Sequence, residues 1–116
     1  MADSAGECEM IRFTVLAVLL ALPLAAAAAA EKPATCFNSD DGRYACMFEP
    51  TDSDGSFTVS APARPTYTLL MIERGVAQGF ADFGTGNRSL PGPFLRSQDD
   101  RACWISEATD FALCAY

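Results

Sequence analysis

Histidine is absent from this 116-residue chain, and that removes most of the side-chain chemistry open to a small protein. A Ser-His-Asp or Cys-His nucleophile has no base, and the His-bearing metal sites have no ligand. Carboxylates, arginines and cysteines are what is left. Asp40, Asp41, Glu49, Asp52, Asp54, Asp82, Asp99 and Asp100 are the candidates for acid–base work, which needs two carboxyls across one cleft. Most of them stand in strings such as Ser39-Asp40-Asp41-Gly42 and Thr51-Asp52-Ser53-Asp54-Gly55, where Asp bonds its own backbone. Turn duty is therefore the expected role, and a small carboxylate hydrolase ranks third among the functional readings. Asp52 to Gly55 lacks the ligand spacing and closing Glu of a calcium loop. No Gly-x-Gly-x-x-Gly or phosphate-loop string occurs. The chain reads as non-catalytic, with no cofactor and no metal.

Arginine is the more informative cation. From residue 31 onward Arg43, Arg64, Arg74, Arg88, Arg96 and Arg101 stand against the single lysine Lys32. A GC-rich genome is the plain account. The sharper one is bidentate recognition of carboxylate or phosphate by one or two of these guanidinium groups. Arg88 lies in the glycine-bearing stretch Gly84–Leu90, followed by Pro91, Pro93, Phe94 and Leu95, and function collects in such loops on rigid scaffolds. Asn87, Arg88, Phe94, Leu95 and Arg96 form the candidate binding loop, with its apolar members expected at the surface. Asn87-Arg88-Ser89 also matches a glycosylation acceptor, which has meaning only in a eukaryotic export route. Trp104 has two readings: a core aromatic beside Cys103, or a recognition patch with Arg101 and Tyr116.

The cysteines must act as a framework. Met10-Ile11-Arg12 is a short positive start, Phe13–Leu24 is nearly all apolar, and Ala25–Ala30 is a run of small residues before Glu31. This is the pattern of a cleaved secretory signal peptide over residues 1–30. Acidic residues 1–9 fit it poorly, so Met10 is the expected start. An uncleaved anchor is the rival, since residues 11–30 are just long enough to span a bilayer. Pro23 and the alanine run favour cleavage, with no membrane span left afterwards. The remaining chain of about 86 residues, one small domain over 31–116, keeps Cys36, Cys46, Cys103 and Cys114. It is destined for an oxidising compartment, secreted or periplasmic, and the Ala-rich leader is of bacterial type.

Removing Asp3, Glu7, Glu9 and Arg12 from the 15 acidic and 8 basic residues leaves 12 and 7, a net charge near −5. That argues against nucleic acid or an anionic membrane surface as partner. Another envelope or extracellular protein is the expected one.

Gly, Pro, Asp and Asn recur at short intervals, so the chain reads as all-β: a small antiparallel barrel or sandwich of roughly six to eight short strands. Thr35–Asn38 and Arg43–Glu49 flank the first turn, in a register that sets Cys36 opposite Cys46. Phe57–Ser60 follows the second turn, and Ala61–Pro65 reads as a stiff extended connector. Residues 66–72 and 76–83 read as strands around Arg74-Gly75. A helical stripe through Leu69, Ile72, Val76, Phe80 and Phe83 competes, but Gly75 and Gly79 would cost such a helix about 2 kcal/mol. Phe94–Ser97 reads as an edge strand. The last hairpin sets Cys103 opposite Cys114, Trp104 opposite Leu113 and Arg101 beside Tyr116. Disulfides Cys36–Cys46 and Cys103–Cys114 follow from the two registers. A nested pairing, Cys36–Cys114 with Cys46–Cys103, is the alternative.

Gly84–Ser89 followed by Trp104 resembles, in order, the loop and tryptophan strand of small periplasmic inhibitors of c-type lysozyme, which are disulfide-bearing β-barrels. The Ser-Gly-x-x-Tyr and Trp-x-Lys-Gly strings of that family are missing, so no residue role is carried over. Together these features point to an exported binding or inhibitor-type module, or to an accessory subunit docking through an apolar patch of Phe94 and Leu95.

Overall fold

The computed structural model describes residues 31–116, which form nine β-strands and no helix. The expected signal peptide lies outside the described residues. β1 (Lys32–Asn38) and β2 (Gly42–Pro50) make the first hairpin, and β3 (Phe57–Ser60) adds to β2. β4 (Thr66–Glu73) and β5 (Val76–Asp82) make the second hairpin. β6 (Asn87–Ser89) and β7 (Phe94–Arg96) both pair with β5, at its C-terminal and N-terminal halves respectively. β8 (Cys103–Ser106) and β9 (Ala112–Ala115) make the last hairpin, and β9 returns to β1. Because β4 pairs with β3 and also with β5, the ring β4-β3-β2-β1-β9-β8-β7-β5 closes into an eight-stranded antiparallel barrel, with β6 outside it. Closure leaves no bare strand edge in the ring.

Alternation along the strands fills the interior. Val59, Tyr67, Leu69, Ala77, Ala81, Phe94, Trp104 and Leu113 are buried in one core. On β5 the inward positions are Ala77, Gly79 and Ala81, all small, and the Phe94 ring takes the room they leave. A Cβ at Gly79 would come within 2.6 Å of that ring. The glycine that argues against a helix is thus a packing requirement of the strand. It also corrects two expectations: Phe94 is 1% exposed, so it belongs to no surface loop, and β7 lies inside the wall between β5 and β8, so it is no edge strand.

Both hairpin disulfides are present, in different settings. Cys103 and Cys114 are directly opposed, with Cα atoms 4.0 Å apart. The Cys103 N–H donates to Asp100 and its carbonyl accepts from Ser97, so this is the close, non-hydrogen-bonded kind of pair. Cys36 and Cys46 are not opposed as expected. Cys36 faces Tyr44 and Cys46 faces Ala34, so the bridge runs diagonally across the inward face, with Cα atoms 5.8 Å apart. The cause is Asn38, whose Oδ1 accepts the Asp40 and Asp41 N–H groups and closes the turn two residues tighter. Diagonal neighbours share a face, so the bridge survives the shift. Each bridge closes a loop of sequence separation 10 or 11, worth about 2.7 kcal/mol in the chain-entropy model.

Three buried polar side chains, Asn38, Ser56 and Ser106, pin loops to the barrel. Ser56 Oγ accepts the Met71 N–H, and Ser106 Oγ donates to the Pro91 carbonyl while accepting from Ala108 and Thr109. Ala61–Pro65 is a turn and not an extended connector: the Arg64 N–H donates to the Ala61 carbonyl, and Ala63 sits at φ 63°. Among the described residues no helix is long and apolar enough to cross a membrane.

Candidate functional site

Arg96 is the residue that builds the site. The inward register of β7 passes from Phe94 to Arg96, so a core position is followed, at the end of the strand, by a guanidinium at the barrel mouth. Its Nε donates to the Arg101 carbonyl at 2.8 Å, and its guanidinium carbon lies 5.2 Å from the Trp104 ring centroid. Arg96 and Trp104 are direct partners across β7 and β8, which fixes the stacking. Trp104 itself is buried, as the core reading had it.

Two further arginines join from separate loops. Arg74 comes from the tight β4–β5 turn, where Gly75 takes a left-handed φ of 77°. Arg101 comes from the β7–β8 connection. That connection is tied down by the Ser97 hydroxyl, which accepts from Asp99 and Asp100, and by Asp100 Oδ1, which accepts from Ala102. The three arginines line a cleft of about 300 Å³ whose other walls include Phe48, Phe57, Trp104 and Asp54. A second cavity of about 540 Å³ adjoins it and shares Arg74, Arg96 and Arg101.

The nearby carboxylates do not neutralise this cluster. Among the described residues the only ion pair is Arg64–Asp41, at 3.4 Å. It involves residues of the opposite end of the barrel. Asp52 is engaged by the N–H groups of Asp54 and Ser56, and bonding to Ser56 holds its carboxyl below the usual range. Asp100 accepts from the Tyr116 hydroxyl, which lowers the carboxyl and raises the phenol. Three guanidinium groups lining one cavity over an aromatic floor have the chemistry to hold an anion: two forked donors can grip a carboxylate or phosphate, and the rings can cover its apolar body.

The residues singled out in the sequence separate into two groups. Arg96, Arg101 and Trp104 come together at this mouth. Asn87 and Arg88 are exposed on β6, paired with Asp82 and Ala81, away from the arginine cleft. Leu95 points outward between Val76 and Ile105, and with Phe94 buried the apolar docking patch of Phe94 and Leu95 does not form. Tyr116 meets Asp100 and the Arg43 guanidinium, 5.0 Å from its ring, and Arg101 is not its partner. Phe48 and Phe57 carried no site signal in the sequence, and Arg74 stood there only as one of six arginines. Each reads locally as an ordinary turn or strand residue, and only closure of the ring brings them to Arg96.

Compared with known proteins, the chain matches no family model, no curated protein and no solved structure. The two disulfides are consistent with a compartment outside the cytosol.

Proposed function

We propose that this chain is an exported, non-catalytic binding module of the inhibitor type, acting in the bacterial periplasm or outside the cell. Its arginine mouth takes a carboxylate- or phosphate-bearing group on another envelope or extracellular protein. The observation that carries the reading is the convergence of Arg74, Arg96 and Arg101 on one aromatic-floored cleft, with no ion-pair partner among the described residues. Export is supported by the leader pattern and by the stapled domain behind it. A histidine-free chain with a rigid, closed scaffold suits recognition better than turnover.

The test is a calorimetric titration of the oxidised protein with a short Glu-rich peptide ending in a free carboxylate, against its all-Gln amidated counterpart. Saturable binding of the acidic peptide alone is expected. Arg96→Gln with Arg101→Gln should weaken it at least tenfold, because charge-assisted bonds are worth about 1.5–3 kcal/mol each. Equal affinity for both peptides, or for both protein forms, discards the proposal.

A further inference from the structure

The opposite mouth of the barrel holds a further cavity, of about 370 Å³, which shares the aromatic character of the arginine cleft and differs in its charge. Its walls include Tyr67, Phe83, Phe94 and Phe111, and Asp40 and Asp110 also line it. Among the described residues no arginine or lysine lines it. Arg64, from the β3–β4 turn of that end, is paired with Asp41 and stacked on Tyr44 at 4.4 Å.

Two observations indicate that this cavity expects a ligand. Tyr67 is only 4% exposed, yet among the described residues its hydroxyl has no hydrogen-bond partner. A buried phenol normally finds one, so an unpartnered hydroxyl in a cavity wall marks a place for a bound group. Phe83, in contrast, is 59% exposed, an aromatic ring held at the mouth with nothing over it. The lining carboxylates are also uncommitted. Asp82 spends an oxygen on the Gly84 and Gly86 N–H groups, and Asp41 is engaged by Asn38 and Arg64. Asp40 and Asp110 accept no side-chain or backbone bond among the described residues.

We propose that this mouth is a second binding site, for a small organic cation: an amine or quaternary ammonium group on an apolar body. Aromatic faces attract such a cation, the two carboxylates balance its charge, and the Tyr67 oxygen can accept a bond from an ammonium N–H. The volume suits a small-molecule ligand or one side chain. The surroundings already disfavour negative charge here. The Tyr67 hydroxyl is pushed up to about 12, first by burial and then by Tyr44, Asp41 and Asp40. Ring packing gives the cage a firm wall, with Tyr67 and Phe111 centroids 6.0 Å apart. The site is independent of the arginine mouth and stands or falls separately from it.

The test uses the full oxidised chain and follows its aromatic ring signals by NMR during titration with 2-phenylethylammonium. Saturable shifts at Tyr67, Phe83 and Phe111 are expected, with 2-phenylethanol weaker and 3-phenylpropionate without effect. Asp40→Asn with Asp110→Asn should weaken the ammonium at least tenfold and leave the alcohol unchanged. Both changes keep the turns, since Asn tolerates the φ of 66° at Asp110. Tyr67→Phe should weaken binding several-fold without lowering the melting temperature. A parallel titration with Nα-acetyl-lysine methylamide separates the sources: tighter binding of that probe assigns a lysine side chain of a partner, tighter binding of phenylethylammonium a free amine. The proposal is overturned if the ammonium and the carboxylate bind alike, if no ring signal moves, or if the double Asn variant binds like the parent. A clear loss of stability in Tyr67→Phe would overturn it too, by showing that the hydroxyl serves the fold.

Discussion

One end of this barrel gathers three guanidinium groups over an aromatic floor, held by a disulfide and by buried Ser56. The other lines its cavity with rings and two carboxylates and is pinned by buried Asn38 and Ser106. At the arginine mouth, Cys103–Cys114 and the stacked pair Arg96–Trp104 fix the geometry. At the acidic mouth, Asn38 and Ser106 do so by holding the turns at residues 39–41 and 107–110. Net charge is −7 for the whole chain, yet it does not set the sign of either cavity. What sets it is which residue stands at the last inward position of each strand and at the tip of each turn. A small barrel can therefore carry two cavities of opposed lining on one acidic body.

The largest loss is expected at Trp104. Trp104→Ala removes a buried ring and the floor of the arginine cleft, and should cost about 3–5 kcal/mol by urea unfolding. Retained stability would mean that the ring does not hold that mouth together. Replacing Cys103 and Cys114 together by Ala should cost about 2–5 kcal/mol. Thermal melting reads this directly, and an unchanged transition would assign the mouth's rigidity to packing alone. Asn38→Ala is the equivalent lesion at the acidic mouth. It strands the Asp40 and Asp41 N–H groups, for about 1–3 kcal/mol, and acidic-mouth ring signals should shift more than Trp104.

Two titrations sharpen the contrast without breaking the fold. Tyr67 holds its proton to about 12 when folded, against about 10 for an unfolded tyrosine. Burial disfavours the phenolate, so this group leaves stability unchanged below pH 10 and lowers it as pH rises from 10 to 12. Urea unfolding across that window should show falling stability, and Tyr67→Phe should reduce the fall. A parallel curve for the variant would remove Tyr67 as its cause. The smallest effect belongs to Asp100 at the arginine mouth. Its folded carboxyl is depressed, chiefly by the Tyr116 hydroxyl, so its contribution is present above about pH 3.9 and fades as pH falls through the folded value. Tyr116→Phe should return the Asp100 carboxyl toward the ordinary range in an NMR titration, with no change at the acidic mouth.

Much of the fold is legible because its signals are local. Period-two alternation, Gly and Asp at turns, and cysteines at matching distances from those turns identify strands and both bridges. Even the ambiguous stretch through residues 66–83 resolves as strands, because Gly79 has a reason to be there only when its missing side chain admits Phe94. Local reading fails where a side chain far from the strand axis intervenes. Asn38 tightens the first turn and moves the register by two, and Phe94, written like a loop residue among prolines, is drawn into the core.

The linear chain alone determined the class of fold and the list of available chemistries, since propensity, turn geometry and residue type act over a few neighbours, and it favoured the two hairpin disulfides over a nested pairing that the structure then ruled out. Tertiary structure decided which arginines meet and which carboxylates share a cavity. Those groups lie on strands and turns far apart in sequence, and only ring closure, a long-range event driven by burial of the common core, selects their neighbours.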